Sequence, residues 1–221
     1  MKDKLVVNEI FGSIDGEGIR TGELATFIRL AGCNLRCSYC DTDYSLKATD
    51  GEEITIEEIV NKVKEIGYKN ITLTGGEPLI HKNVDKLIDK LIEEGFKLNI
   101  ETNGAVDITP YIAKKLILTV DYKTKSSGMI KYMENKNISL LRDYDVFKIV
   151  CCKDDFEDIK ELLKNNQIKS YIYLSPIFGK IEYYELVDFL KELHKEGIDT
   201  SKIRVQVQLH KIIWEPNKRG V

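Results

Sequence analysis

No run in this 221-residue sequence is long and apolar enough to span a membrane. Only four prolines occur, and no Gly/Ser-rich or low-complexity tract marks a linker, so residues 1–221 read as a single domain. Neither sign of charge dominates. Lys and Arg number 33 against 36 Asp and Glu, and the net charge of −3 argues against a general nucleic-acid binder. No internal repeat of short fixed period is present. The amino terminus, Met1-Lys2-Asp3-Lys4, has no signal-peptide pattern and runs straight into a strand-like segment. With isolated thiols, this gives the expectation of a reduced, cytoplasmic protein. At 43% hydrophobic content, the chain buries a full core without disulfide staples.

The remaining absence is the most informative. Cys33, Cys37 and Cys40 fall within eight residues in the spacing Cys-x3-Cys-x2-Cys, and no fourth cysteine follows nearby. Three thiolates hold three corners of a [4Fe–4S] cube and leave the fourth iron without a protein ligand. An open iron corner is a place for chemistry, whereas a closed four-cysteine site serves structure or electron transfer. The alternative is zinc, which takes four tetrahedral ligands. His81, His194 and His210 form no local pair, so a zinc site would need one of them to fold back. Cys151 and Cys152 are neighbours in an apolar, strand-like run. Their side chains point to opposite faces, and they read as core thiols.

β-rich runs alternate with helical patterns. Strands are expected at Leu5–Phe11, Ala25–Leu30, Ile71–Leu73, Lys97–Glu101, Leu116–Asp121, Val146–Cys151, Tyr171–Leu174 and Ile203–Gln208. Helices are expected at Ile56–Ile66, Asn83–Glu94, Phe156–Asn165 and Tyr183–Glu196. Thr55 with Glu58 forms a capping box that starts the first helix at Ile56. Strands separated by helices of this length imply parallel crossovers, hence an α/β fold built as an incomplete TIM-type (β/α) barrel. The candidate motifs then collect at the C-terminal ends of the strands, where such barrels carry their sites. These are the cysteine loop, Thr74-Gly75-Gly76-Glu77-Pro78, Thr102-Asn103-Gly104, Lys123 and Ser175.

The cysteine spacing, with Tyr39 directly before the third cysteine, resembles the cluster loop of the radical S-adenosylmethionine (SAM) enzymes. Gly75-Gly76-Glu77-Pro78 resembles their Gly-Gly-Glu-Pro motif. The resemblance implies that the free iron chelates the amino and carboxylate groups of SAM. One electron then cleaves the sulfonium to a 5′-deoxyadenosyl radical, which abstracts a hydrogen atom from substrate. Glycines let main-chain groups approach a ligand closely, and Glu77 is expected to accept from the SAM ammonium. By the same resemblance, Tyr39, Asp41, Gly76 and Asn103 would contact SAM, with Asp121, Lys123 and Ser175. Glu101 is a further candidate for the ribose or carboxylate.

A narrower resemblance lies near the amino terminus. Glu9-Ile10-Phe11-Gly12-Ser13-Ile14-Asp15-Gly16-Glu17-Gly18 is similar to a signature segment of the 7-carboxy-7-deazaguanine synthases. Phe27-Ile28-Arg29-Leu30-Ala31-Gly32 continues the pattern into the cluster loop, and Gln206-Val207-Gln208-Leu209-His210-Lys211 with Trp214 resembles the terminal segment. The resemblance implies a radical SAM lyase that converts 6-carboxy-5,6,7,8-tetrahydropterin to 7-carboxy-7-deazaguanine and ammonia, on the route to queuosine-type bases. Ile14, Asp15, Gly16 and Glu17 would lie on the pterin, with Arg29, Thr74 and His210. Asp15 stands where the family usually has Gln, and an ionised carboxylate accepts but does not donate. Arg29 also makes independent sense, because its planar fork suits a carboxylate bidentately. Its structural alternative is a salt bridge to a nearby Glu. Thr42 would be the protein ligand of a Mg²⁺ ion placed against the substrate. No protein acid or base is assigned. A flavodoxin or ferredoxin would supply the electron, and the resemblance suggests a homodimer; by its charge and the lack of a long apolar run, neither nucleic acid nor membrane is expected as a partner. Two alternatives remain at this level: an activating enzyme of a glycyl-radical protein, and an iron–sulfur electron-transfer protein.

Overall fold

The computed structural model describes residues 3–221; Met1 and Lys2, counted in the expected single domain, lie outside the described residues. One nine-stranded sheet runs in the order β3-β1-β2-β4-β5-β6-β7-β8-β9. Its parallel part is β2 (Leu24–Leu30), β4 (Asn70–Gly75), β5 (Lys97–Thr102), β6 (Ile117–Lys123), β7 (Val146–Cys151), β8 (Tyr171–Pro176) and β9 (Ile203–Val205). At one edge, β1 (Lys4–Ile14) pairs antiparallel with both β2 and β3 (Glu52–Thr55). The sheet order does not return to its first strand, so the barrel is incomplete, as expected from the sequence.

Four helices match the expected positions: α1 (Ile56–Ile66), α2 (Val84–Glu93), α4 (Phe156–Asn165) and α5 (Tyr183–Lys195). Both halves of the Thr55/Glu58 capping box are formed. Two short helices, α3 (Lys136–Leu140) and α6 (His210–Ile213), have no counterpart in the sequence pattern. The expected last strand needs correction. It ends at Val205 rather than Gln208, and the short helix α6 opens at His210. The expectation of parallel crossovers also misses the first hairpin, where no helix separates β1 from β2.

Period-two alternation along the central strands separates two faces. Ile71 and Leu73, Leu98 and Ile100, Leu118 and Val120, and Phe147 and Ile149 belong to the apolar core. The intervening positions carry Thr72, Thr74, Asn99, Glu101, Thr119, Asp121 and Lys148. Parallel strands covered by helices on both faces are usually apolar throughout. Here one face is polar, and that face lines the concave interior where the site lies.

Candidate active site

The cysteine loop leaves β2 and packs onto the end of β4. The Glu77 amide donates to Gly32 O at 2.8 Å and the Gly76 amide to Leu30 O at 3.0 Å. A Cβ on Gly76 would lie 2.3 Å from Gly32 O and 2.8 Å from Cys33 Cβ, and one on Gly75 would lie 2.2 Å from Leu30 O. Both positions therefore exclude any other residue. The glycine pair serves the close approach of the cluster loop.

The three cysteines are half-buried and free. The amide of Leu35 and the amide side chain of Asn103 donate toward Cys33 Sγ at 3.4 and 3.7 Å, the orientation that a thiolate or a cluster sulfur favours. Asn103 is fixed by a second donation to Asn34 Oδ1 at 2.8 Å, and its own Oδ1 accepts from Ala105 N at 3.0 Å. Burial pushes the Cys37 thiol up to about 11, against the pull of Lys123 and helped by the nearby Asp121, so that deprotonation there calls for a compensating cation. Among the described residues, no three His, Cys, Asp or Glu side chains stand close enough to share one metal ion. A single zinc would draw its thiolates to about 3.8 Å from each other, by its Zn–S bond length and tetrahedral geometry. No such preformed single-ion site is present among the described residues.

The thiols open on a cavity of about 550 Å³ that runs across the polar face of the sheet. Gly76, Asn103, Asp121 and Lys123 line it near the loop, together with Tyr39, Asp41 and Thr42 from the loop itself. Tyr39 donates its hydroxyl to Val150 O at 3.2 Å, and Lys123 lies 3.0 Å from Asp121. Asp41 pairs with Lys211 at 3.0 Å, which ties α6 to the loop. Thr42 Oγ1 lies 3.8 Å from Cys40 Sγ. The lining also includes Ile14, Gly16, Glu17, Arg29, Thr74 and His210. A Cβ on Gly16 would meet His210 Nδ1 at 2.6 Å, so the loop after β1 and the start of α6 close together over the interior. Thr74 Oγ1 donates to Glu101 Oε2 at 3.0 Å.

Three anticipated residues stand apart from this lining. Asp15 is buried against Arg20, whose Nε is 2.9 Å from Oδ2, and its Oδ1 accepts from Thr72 at 2.7 Å. Arg20 also donates to the carbonyls of Ile71 and Lys97. Glu77 is fully buried; it accepts from Leu79 N at 3.0 Å, Thr102 Oγ1 at 2.8 Å and Asn103 N at 2.6 Å, so it joins the ends of β4 and β5. Burial pushes its carboxyl up to about 7, against the pull of those donors. Ser175 is buried and donates to Glu17 Oε1 at 3.2 Å.

Other residues of the site had no role assigned from the sequence, although Glu9, Phe11 and Phe27 lie within the segments that carry the family resemblance. Glu9 accepts from Arg29 Nε at 2.8 Å and from the Tyr44 hydroxyl at 3.1 Å. Phe11 and Phe27 stack at 5.0 Å on the cavity wall. Lys148 lies 2.6 Å from Glu17 and 3.6 Å from Asp121. Its signal was a single lysine inside Val146-Phe147-Lys148-Ile149-Val150. The chain end from Pro216 to Val221 also lines the cavity, with Arg219 stacked 3.8 Å over Tyr44.

Residues 27–122 match the Radical SAM superfamily. The 7-carboxy-7-deazaguanine synthase of Clostridium acetobutylicum is 40% identical over 224 residues, covering 97% of this chain and 98% of that protein. The chain belongs to the 7-carboxy-7-deazaguanine synthase family. A relative of the same name from Leptospira interrogans is 34% identical over 242 residues, covering 99% and 98%. The crystal structure of QueE from Escherichia coli shares the fold at a TM-score of 0.68 and 26% identity, covering 92% of this chain and 94% of that one. Membership of the 7-carboxy-7-deazaguanine synthase family makes the chain a radical SAM enzyme, with a [4Fe–4S] cluster and SAM as the family's cofactors. The activating-enzyme and electron-transfer alternatives fall with it. No helix among the described residues is long and apolar enough to cross a membrane.

Proposed function

We propose that this chain converts 6-carboxy-5,6,7,8-tetrahydropterin to 7-carboxy-7-deazaguanine with loss of ammonia, in 7-deazapurine and queuosine biosynthesis. One observation carries the reading: a single cavity is lined both by the three cysteine thiols and by Arg29, Glu17 and His210. A ligand on the cluster and a carboxylated heterocycle would thus share one cavity. The cluster and SAM supply hydrogen-atom abstraction when bound. The protein's part is to bind, orient and exclude water.

Arg29 uses its Nε on Glu9, which leaves the Nη pair for the carboxylate of the substrate. Tyr39, Asp41, Gly76, Asn103, Asp121 and Lys123 surround the SAM end. Glu77 acts on SAM through the backbone that it braces. Thr42, beside Cys40, would hold Mg²⁺ against the substrate, since that ion prefers hard oxygen and keeps several waters. The active form would be a cytoplasmic homodimer that takes its electron from a flavodoxin or ferredoxin.

The test is anaerobic turnover of the carboxylated pterin by reconstituted protein with SAM, dithionite and Mg²⁺, followed by mass spectrometry. Formation of 7-carboxy-7-deazaguanine supports the reading. SAM cleavage that leaves the pterin unchanged contradicts it.

A further inference from the structure

Lys148 stands at the middle of β7, a strand whose six residues are all buried. An ammonium in such a position is costly unless it is paired. Its Nζ lies 2.6 Å from Glu17 Oε2 and 3.6 Å from Asp121 Oδ2, and all three residues line the cavity. From the next strand, Ser175 Oγ donates to the other oxygen of Glu17 at 3.2 Å. Glu17 belongs to the loop after β1, so nothing in its own element fixes its carboxylate. Two clamps from β7 and β8 do so. Burial by itself would lower the Lys148 ammonium, but Glu17 and Asp121 override it and keep it charged.

We infer that Lys148 is a positioning residue, which together with Ser175 holds the Glu17 carboxylate to read the amino-pyrimidinone edge of the substrate ring. Each carboxylate oxygen accepts two hydrogen bonds. With one site on each oxygen taken by Lys148 and Ser175, one remains on each. Two free acceptors side by side match the ring N–H and the neighbouring amino group, as a carboxylate matches a guanidinium fork. Asp15 does not serve this purpose, because Arg20 and Thr72 occupy it away from the cavity. A ring bearing oxygen in place of the amino group would turn a lone pair toward the carboxylate. A site built for a donor rejects such an analogue strongly. The inference rests on the pterin reading above and adds to it the group that selects the ring edge.

The experiment measures affinities of anaerobically reconstituted holoenzyme for 6-carboxypterin and for its 2-oxo analogue, 6-carboxylumazine, by ligand fluorescence. SAM affinity and iron content are measured in parallel. Wild type should prefer the pterin by about tenfold or more, the value of one hydrogen bond to a charged group. Lys148→Met should lose most of that preference while SAM affinity and iron content stay unchanged, and Lys148→Arg should restore much of it. Wild-type preference in Lys148→Met, or SAM affinity falling in step with pterin affinity, overturns the inference. If Lys148→Met yields no folded holoenzyme, Ser175→Ala removes the opposite clamp and is judged by the same criteria. Failure of wild type to bind 6-carboxypterin would instead refute the substrate reading, and this inference with it.

Discussion

Arg29 and Glu9 face each other across the β1–β2 pair, with Nε donating to Oε1 at 2.8 Å. Directly opposed residues of neighbouring strands share a face, so the first hairpin presents the guanidinium with its orientation already set. The Tyr44 hydroxyl donates to the same Glu9 oxygen at 3.1 Å, which fixes the carboxylate from the loop side. The salt-bridge alternative for Arg29 is thus present in the structure. It coexists with a binding role, because it occupies only one edge of the fork.

Replacing Arg29 by Lys keeps the charge and loses the fork. A charge-assisted hydrogen bond is worth about 1.5–3 kcal/mol. Steady-state assays on the carboxylated pterin should show kcat/KM reduced by about ten- to a hundredfold. SAM affinity and iron content should hold. Undiminished kcat/KM would show that the Glu9 pair is the whole purpose of Arg29.

Glu77 gives a prediction about stability. All its partners are donors, and an amide at position 77 would turn an N–H toward one of them. Glu77→Gln should cost about 1–3 kcal/mol. For a domain of this size that is a melting temperature lower by roughly 3–10 °C, read by anaerobic thermal denaturation. An unchanged melting temperature would place the role of Glu77 in the ligand site alone.

The magnesium assignment rests on one hydroxyl. Thr42→Ala should remove most of the stimulation of turnover by Mg²⁺ while uncoupled SAM cleavage persists. Titration of Mg²⁺ into both proteins decides the matter, and equal stimulation would remove Thr42 as a ligand.

How much of this was legible depended on whether the cause was local. The bounds of α1 follow from the Thr55/Glu58 capping box, and those of β7 from an apolar run between polar flanks. The end of β9 was not legible. Gln206-Val207-Gln208 alternates like a strand, yet the Gln206 side chain accepts from Gly18 N at 2.8 Å and donates to Thr21 Oγ1 at 3.0 Å. Pairing with a loop 188 residues earlier draws the chain off the sheet. The inward pairing of Asp15 was not legible for a related reason. Its motif position carried no sign that Arg20, five residues on, would bind it inward across β4. Ser175 was read from its place at a strand end, and only the fold shows that Glu17 claims its hydroxyl.

The two cysteine groups separate cleanly. Replacing Cys33, Cys37 and Cys40 together by Ala should abolish the cluster absorbance and the iron content of about four per chain. Cys151 is buried in the core and Cys152 lies beside Ser126, so replacing both should leave the cluster intact. Cluster loss in the second variant would show that the loop is misassigned.

The central claim is that one cavity couples SAM cleavage to the carboxylated pterin. The direct measurement is label transfer, with the substrate deuterated on its saturated ring and turned over anaerobically. The account predicts deuterium in the 5′-deoxyadenosine, formed together with 7-carboxy-7-deazaguanine. Unlabelled 5′-deoxyadenosine, produced at the same rate with and without the pterin, would contradict it.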